Sequence, residues 1–77
     1  MTHRRKPLYE HVVDDITASI RAGTIKPGDK LPSIAQLAEQ YGISDTRVKF
    51  ALRILGERGW IETHQGKGTF VAEHPPS

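Results

Sequence analysis

Two serines and two glycines punctuate the middle of this chain, and they restrict its fold more than any other feature. Ser33 stands directly before an apolar-periodic run, with Gln36 three residues on. That is the spacing of a capping box, in which the serine hydroxyl and the glutamine side chain each satisfy a backbone N–H of the other's residue. Ile34, Leu37, Ala38 and Tyr41 then recur with helical period. Gly42 follows, and glycine readily takes the left-handed conformation that closes a helix. Ile43 anchors the corner to a core, and Ser44 caps another helix. Asp45 sits in that helix's first turn, where the dipole favours an anion. The helix is expected to run to about Arg58, where Gly59 stops it. Two short helices joined by a brief glycine-containing turn are a helix-turn-helix unit.

A longer amphipathic stretch precedes this unit. Pro7 suits the first turn of a helix. Leu8, Val12, Ile16 and Ile20 recur every four residues, flanked by Tyr9 and Val13, as one helical face. Gly23 lies just past its end. Thr24-Ile25 is short and β-favouring. Lys26-Pro27-Gly28-Asp29 has proline and glycine at the second and third positions of a β-turn. Lys30-Leu31, before Pro32, is expected to be extended. Behind the unit, Trp60-Ile61-Glu62-Thr63 reads as a half-buried strand, Gln65-Gly66-Lys67-Gly68 as a flexible tip and Thr69-Phe70-Val71 as the return strand. The expected order is helix, small strand, helix, helix, hairpin. The fold class is mainly α with a small β-hairpin: a winged helix-turn-helix, with three helices plus a two-stranded wing. Residues 1–6 are expected to form a flexible basic arm, 7–72 the domain, and 73–77 a tail or linker ending in Pro75-Pro76-Ser77.

At 77 residues there is room for one such domain and not for two. So small a core is marginal without a disulfide or metal staple. There is no cysteine, so local signals or a partner must supply the order. No apolar run approaches the roughly 18 residues of a membrane helix. Arg4-Arg5-Lys6 is followed by no signal-type apolar stretch, so a cytoplasmic protein is expected. The net charge is only +2. Its distribution says more, because Arg47, Lys49, Arg53 and Arg58 gather in the third helix. Glu10, Asp14 and Asp15 lie on the outer side of the first helix and read as solvated charge. Catalytic chemistry finds no foothold. His3, His11, His64 and His74 lack zinc spacing. Gly66-Lys67-Gly68 lacks the helix and remaining residues of a phosphate-binding loop. No enzyme activity, cofactor or metal is expected.

The residues also fall into a family order. Leu31-Pro32-Ser33, Leu37-Ala38, Gly42-Ile43-Ser44, Val48, Ala51-Leu52, Leu55, Gly59, Ile61 and Gln65-Gly66-x-Gly68-Thr69-Phe70-Val71 resemble the signature of GntR-type bacterial transcription regulators. Pro7-Leu8-Tyr9 and Gly23-Thr24-Ile25-x-Pro27-Gly28 match its opening helix and turn, so the resemblance spans about residues 7–71. It implies sequence-specific binding of double-stranded DNA by a regulator, usually a repressor. Residues 44–58 would lie in the major groove and the wing, 64–68, at the minor groove or backbone. A major groove about 12 Å wide admits a helix, and the residues near its N-terminus reach base edges. The resemblance also implies a C-terminal domain that binds a small-molecule effector and dimerises the protein. These 77 residues leave no room for one, so the chain is either part of a longer regulator or a stand-alone module. A monomer in solution, pairing as a homodimer on a palindromic operator, is the expected assembly.

On a helical wheel the third helix divides cleanly. Val48, Ala51, Leu52 and Leu55 share a face assigned to the core. Thr46, Lys49, Phe50 and Arg53 lie opposite, with Arg47 beside them. A solvated charged face gives the same pattern, and the resemblance turns it toward DNA. The candidate contacts are Ser33, Ser44, Thr46, Arg47, Lys49, Arg53, Gln65, Gly66 and Lys67. Ser44 and Thr46 suit phosphate oxygens, Arg47 and Lys49 guanine edges or phosphate, and Arg53 the backbone. At the wing, Gly66 and Gly68 permit close approach, Lys67 adds a cation, and His64 and Gln65 add hydrogen-bonding groups. A plain hairpin uses such glycines too. The basic arm suits either an adjacent minor groove or a solubilising tail.

Three features depart from the family pattern. Ala35 and Asp45 stand where its members usually carry DNA-contacting arginines. Asp45 suits helix capping, or acceptance from a cytosine amino group. Phe50 and Ile54 stand where its members are usually polar, four residues apart and off the core face. Three readings of that pair stay open: contact with a thymine methyl, docking of a partner or second copy, and burial beneath the wing. Ala35, Asp45, Phe50 and the low charge also favour a rival, a winged-helix protein-interaction module. A further rival is an architectural or excision factor that bends plasmid or phage DNA.

Overall fold

Val12, Val13, Ile16 and Ile20 form the buried stripe of α1 (Leu8–Ala22) in the computed structural model, which describes residues 7–76. α2 (Ile34–Tyr41) adds Leu37 to the same core, and α3 (Asp45–Glu57) adds Val48, Ala51, Leu52 and Leu55. Leu31, Trp60, Ile61 and Val71 close it from the wing side. The Arg21 guanidinium lies over the buried Trp60 ring, 5.4 Å from its centroid, and covers its outer side. Leu8 is an exception to the expected stripe, being half exposed. It is the first helical residue, and helical side chains lean toward the N-terminus, so it projects past the bundle.

The punctuation acts as the sequence indicates. Ser33 Oγ accepts from the Gln36 N–H at 3.1 Å, and Gln36 Oε1 accepts from the Ser33 N–H at 2.8 Å. Gly42 closes α2 with φ 67°. Ser44 Oγ accepts from the Arg47 N–H at 3.2 Å and starts α3. Pro7 lies one residue outside α1 rather than in its first turn, with ψ 144°. One acid expected to be solvated is engaged instead: the Tyr41 hydroxyl donates to Asp15 Oδ2 at 2.7 Å, joining α2 to α1. Burial, then the hydrogen bond and the charge of Asp15, push the Tyr41 phenol up to about 12.

The wing pairs β1 (Ile61–His64) antiparallel with β2 (Gly68–Val71), in the register Ile61↔Val71, Glu62↔Phe70, Thr63↔Thr69, His64↔Gly68. The Lys67 N–H donates to the His64 carbonyl at 2.9 Å across a turn in which Gly66 has φ 79°. That angle is costly for any residue with a Cβ. Trp60 precedes β1 rather than starting it, and both Trp60 and Ile61 are buried.

The short extended piece lies at Lys30-Leu31, as expected before Pro32, and not at the β-favouring Thr24-Ile25. The Lys26–Asp29 turn forms, with the Asp29 N–H donating to the Lys26 carbonyl at 2.9 Å, and the segment after it runs beside β2. The Val71 N–H donates to the Asp29 carbonyl at 2.8 Å and the Leu31 N–H to the Thr69 carbonyl at 2.8 Å. Lys30 bridges to Phe70. β2 has an unpaired edge to offer this segment, whereas the Thr24 and Ile25 N–H groups donate back to the Ser19 carbonyl at the end of α1.

Candidate nucleic-acid interface

The local signals that start α3 also decide what it shows to solvent. With Ser44 as N-cap, the apolar residues at 48, 51, 52 and 55 turn inward. Asp45, Thr46, Arg47, Lys49, Phe50 and Arg53 are left exposed. Lys49 and Arg53 stand on the flank of α3 that faces the wing. There they line an open groove with Gly56, Ile34, Thr63 and Thr69. Thr63 and Thr69 are cross-strand partners on the face of the hairpin that also carries the buried Ile61 and Val71. The groove therefore places two cations of α3 opposite two hydroxyls of the wing, with the front of α2 between them.

Arg53 is not wholly free. Its Nε lies 3.5 Å from Glu57 Oε2, one turn on, with both side chains well exposed. Such a pair is weak and salt-screened. Arg47 lies on the other flank of α3, three residues before Phe50. Ser33 and Ser44 are exposed, and each hydroxyl oxygen already accepts a backbone N–H, leaving the O–H proton to donate. Gln65, Gly66 and Lys67 occupy the exposed tip of the wing. His64 is turned away from the groove, 3.4 Å from Glu62 Oε1 and edge-on to the Phe70 ring at 5.3 Å. The arm residues Arg4, Arg5 and Lys6 lie outside the described residues.

Three participants were missed from sequence: Thr63 and Thr69 in the groove, and Glu57 beside Arg53. Strand alternation together with a register fixed by the glycine tip would have put both threonines on the inner face. Lys30 also lies against the wing. A Cβ on Gly68 would come within 2.8 Å of its Cε, so that glycine makes room for the lysine stem.

Phe50 and Ile54 are not beneath the wing. They lie on the flank of α3 turned toward α1, where the Phe50 ring meets the Tyr9 ring edge-on at 4.9 Å and 61°. Ile54 packs against the core beside Tyr9. The wing occupies the opposite flank and cannot reach them.

Among the described residues, no helix is long and apolar enough to cross a membrane. Nor does any cluster of three His, Cys, Asp or Glu residues there suit a metal ion.

The family model for "bacterial regulatory proteins, gntR family" matches residues 8–71. Over 68 residues the chain is 44% identical to the mannosyl-D-glycerate transport/metabolism system repressor of Escherichia coli K12. That alignment covers 88% of this chain and 28% of the repressor. It is 37% identical over 68 residues to the HTH-type transcriptional repressor YtrA of Bacillus subtilis, covering 88% of this chain and 52% of the repressor. Among solved structures, the DNA-binding domain of AraR in complex with operator ORR3 superposes with a TM-score of 0.88 at 33% identity. That match covers 94% of this chain and 87% of the AraR chain. The chain thus spans about a quarter of the first of these relatives and about half of the second.

Proposed function

The chain belongs to the GntR family of bacterial regulatory proteins, and from that premise we propose that it is the DNA-reading domain of a transcription repressor. α3 enters the major groove of its operator, and the wing tip lies at the adjacent minor groove or backbone. The observation that carries this reading is the groove itself, where Lys49 and Arg53 face Thr63 and Thr69 beside an exposed glycine-lysine tip. Its width of chemistry suits a phosphate strand: cations for charge, hydroxyls for hydrogen bonds, and glycine backbone for close approach. The likeness to a domain solved on an operator supports the same docking.

Ser44, Thr46, Arg47 and Lys49 then meet the groove floor and its phosphate walls, with Arg53, Ser33, Gln65, Gly66 and Lys67 on the flanking backbone. Two copies on a palindrome would stand one helical turn apart, about 34–36 Å, or a multiple of that. Dimerisation and control by a small effector are assigned to parts of a longer repressor outside residues 8–71, and the site of action is the cytoplasm.

Selection of bound duplexes from a random pool, using the 77-residue chain, tests the proposal. A recovered motif, bound with a log–log salt slope of about −4.5 for five phosphate contacts, is the expected result. Absence of any salt-dependent duplex binding would overturn it in favour of a protein-interaction module, the reading that exposed Phe50 and Asp45 favour.

A further inference from the structure

We infer that Phe50 reads a base: its ring is the seat for the 5-methyl group of a thymine in the major groove. The inference rests on the DNA-binding reading above and names what one residue of that surface selects. Leu8 and Phe50 are the large apolar side chains left about half exposed among the described residues, at 50% and 48%. Leu8 lies at the outer end of α1. Phe50 lies on α3 with Thr46 one turn before it and Arg53 one turn after, within the outward side of the helix.

The ring is held rather than loose. Tyr9 meets it edge-on at 4.9 Å, an arrangement that aromatic quadrupoles favour. Half-buried Ile54, one turn along the same flank, packs on the core beneath. A side chain already restrained loses less freedom when it makes a contact.

Its surroundings identify the occupant. Arg47 stands three residues before Phe50 and Arg53 three residues after, both exposed. An apolar spot between cations suits a polyanion that carries an apolar point. In the major groove that point is the thymine methyl, flanked by phosphate rims that take up the arginines. A second copy of the chain would bring the same cations face to face, a like-charge juxtaposition that opposes pairing.

The test uses the duplex recovered by selection. Each thymine is replaced singly by deoxyuridine, which removes the methyl and keeps the pairing. Affinity is followed by fluorescence anisotropy at fixed salt. Removal of the methyl at one thymine per half-site should weaken binding by about fourfold, as burial of one methyl predicts. In Phe50→Ala the same replacement should change nothing, while the salt slope stays that of the parent. The inference is overturned if every deoxyuridine duplex binds like the parent, since that series needs no variant. It is equally overturned if the methyl effect survives in Phe50→Ala. In both cases salt-dependent binding persists, so the DNA-binding reading stands. Loss of all duplex binding by the unmodified chain would sink both.

Discussion

The two flanks of α3 differ as much as two separate helices. Toward the wing it shows Lys49, Arg53 and Gly56 to a pair of threonines across an open groove. Toward α1 it shows Phe50 and Ile54 to the Tyr9 ring. The first flank is charged and open; the second carries an apolar pair braced by Tyr9, with exposed Arg47 beside it. Both rest on the buried seam of Val48, Ala51, Leu52 and Leu55. The lesson is a division of labour within one helix. Flexible cations can follow a phosphate path whatever its sequence, whereas a braced ring can tell one base from another.

The largest effect should come from removing what the flanks share. Leu55 is wholly buried, and Leu55→Ala is expected to cost about 2–5 kcal/mol through lost contacts and a residual cavity. That is a large part of a small domain's stability, so the thermal melt and duplex binding should fall together. An unchanged melt would mean that the flanks do not share one support. Lys49→Ala should act on the wing flank alone, lowering affinity by about tenfold and the salt slope by about 0.9. Should the slope stay fixed while a base preference relaxes, Lys49 reads an edge and the contrast between flanks blurs.

Asp45→Arg adds a cation at the front of α3 and is expected to raise affinity for random duplex several-fold, with a salt slope steeper by about 0.9. Titration showing equal or weaker binding would refute this and leave Asp45 as a contributor to the start of α3 alone. Glu57→Gln releases Arg53 from its exposed partner. The expected gain in affinity is below about fivefold, since such pairs are worth about 0–1 kcal/mol; a larger gain would make the pair a brake on binding.

The smallest effect concerns how α1 is braced. Tyr41 keeps its proton up to about pH 12 in the folded chain, against 10.0 for an ordinary tyrosine. The unfolded chain therefore loses that proton first. The stabilisation from the Asp15 bond is complete below pH 10 and fades as pH rises through about 12. Urea melts across that window should show a loss that Tyr41→Phe lacks.

The helices were legible because four of their six ends carry their own chemistry: the Ser33 and Ser44 hydroxyls, and the glycines after Ala22 and Tyr41. Those signals are local, and the backbone obeys them whatever packs around it. The small strand is only half legible for the opposite reason: Lys30-Leu31 is extended as expected, but Thr24-Ile25 is not paired. Thr24-Ile25 has β-favouring side chains, yet a strand needs a partner edge, and β2 offers its edge to Asp29–Leu31 instead. Tertiary pairing overrode local preference. The exposed cations of α3 could be read from the wheel. Thr63 and Thr69 could not be singled out without the register, and the side on which Phe50 rests depended on where Tyr9 falls. Asp15 looked solvated because Tyr41, its partner, lies on another helix.

The backbone bonds that tie Asp29 and Leu31 to β2 have a mechanical consequence. They make the hairpin part of the body rather than a loose flap, so its tip cannot swing freely about Trp60. The gap between tip and α3 is then gauged by a stretch of chain on the far edge of β2, with the Lys30 stem lying against Gly68. One residue inserted in the Lys26–Asp29 turn would reset that gauge like the jaw of a calliper. The domain would then suit a different stagger of grooves with every contacting side chain unchanged.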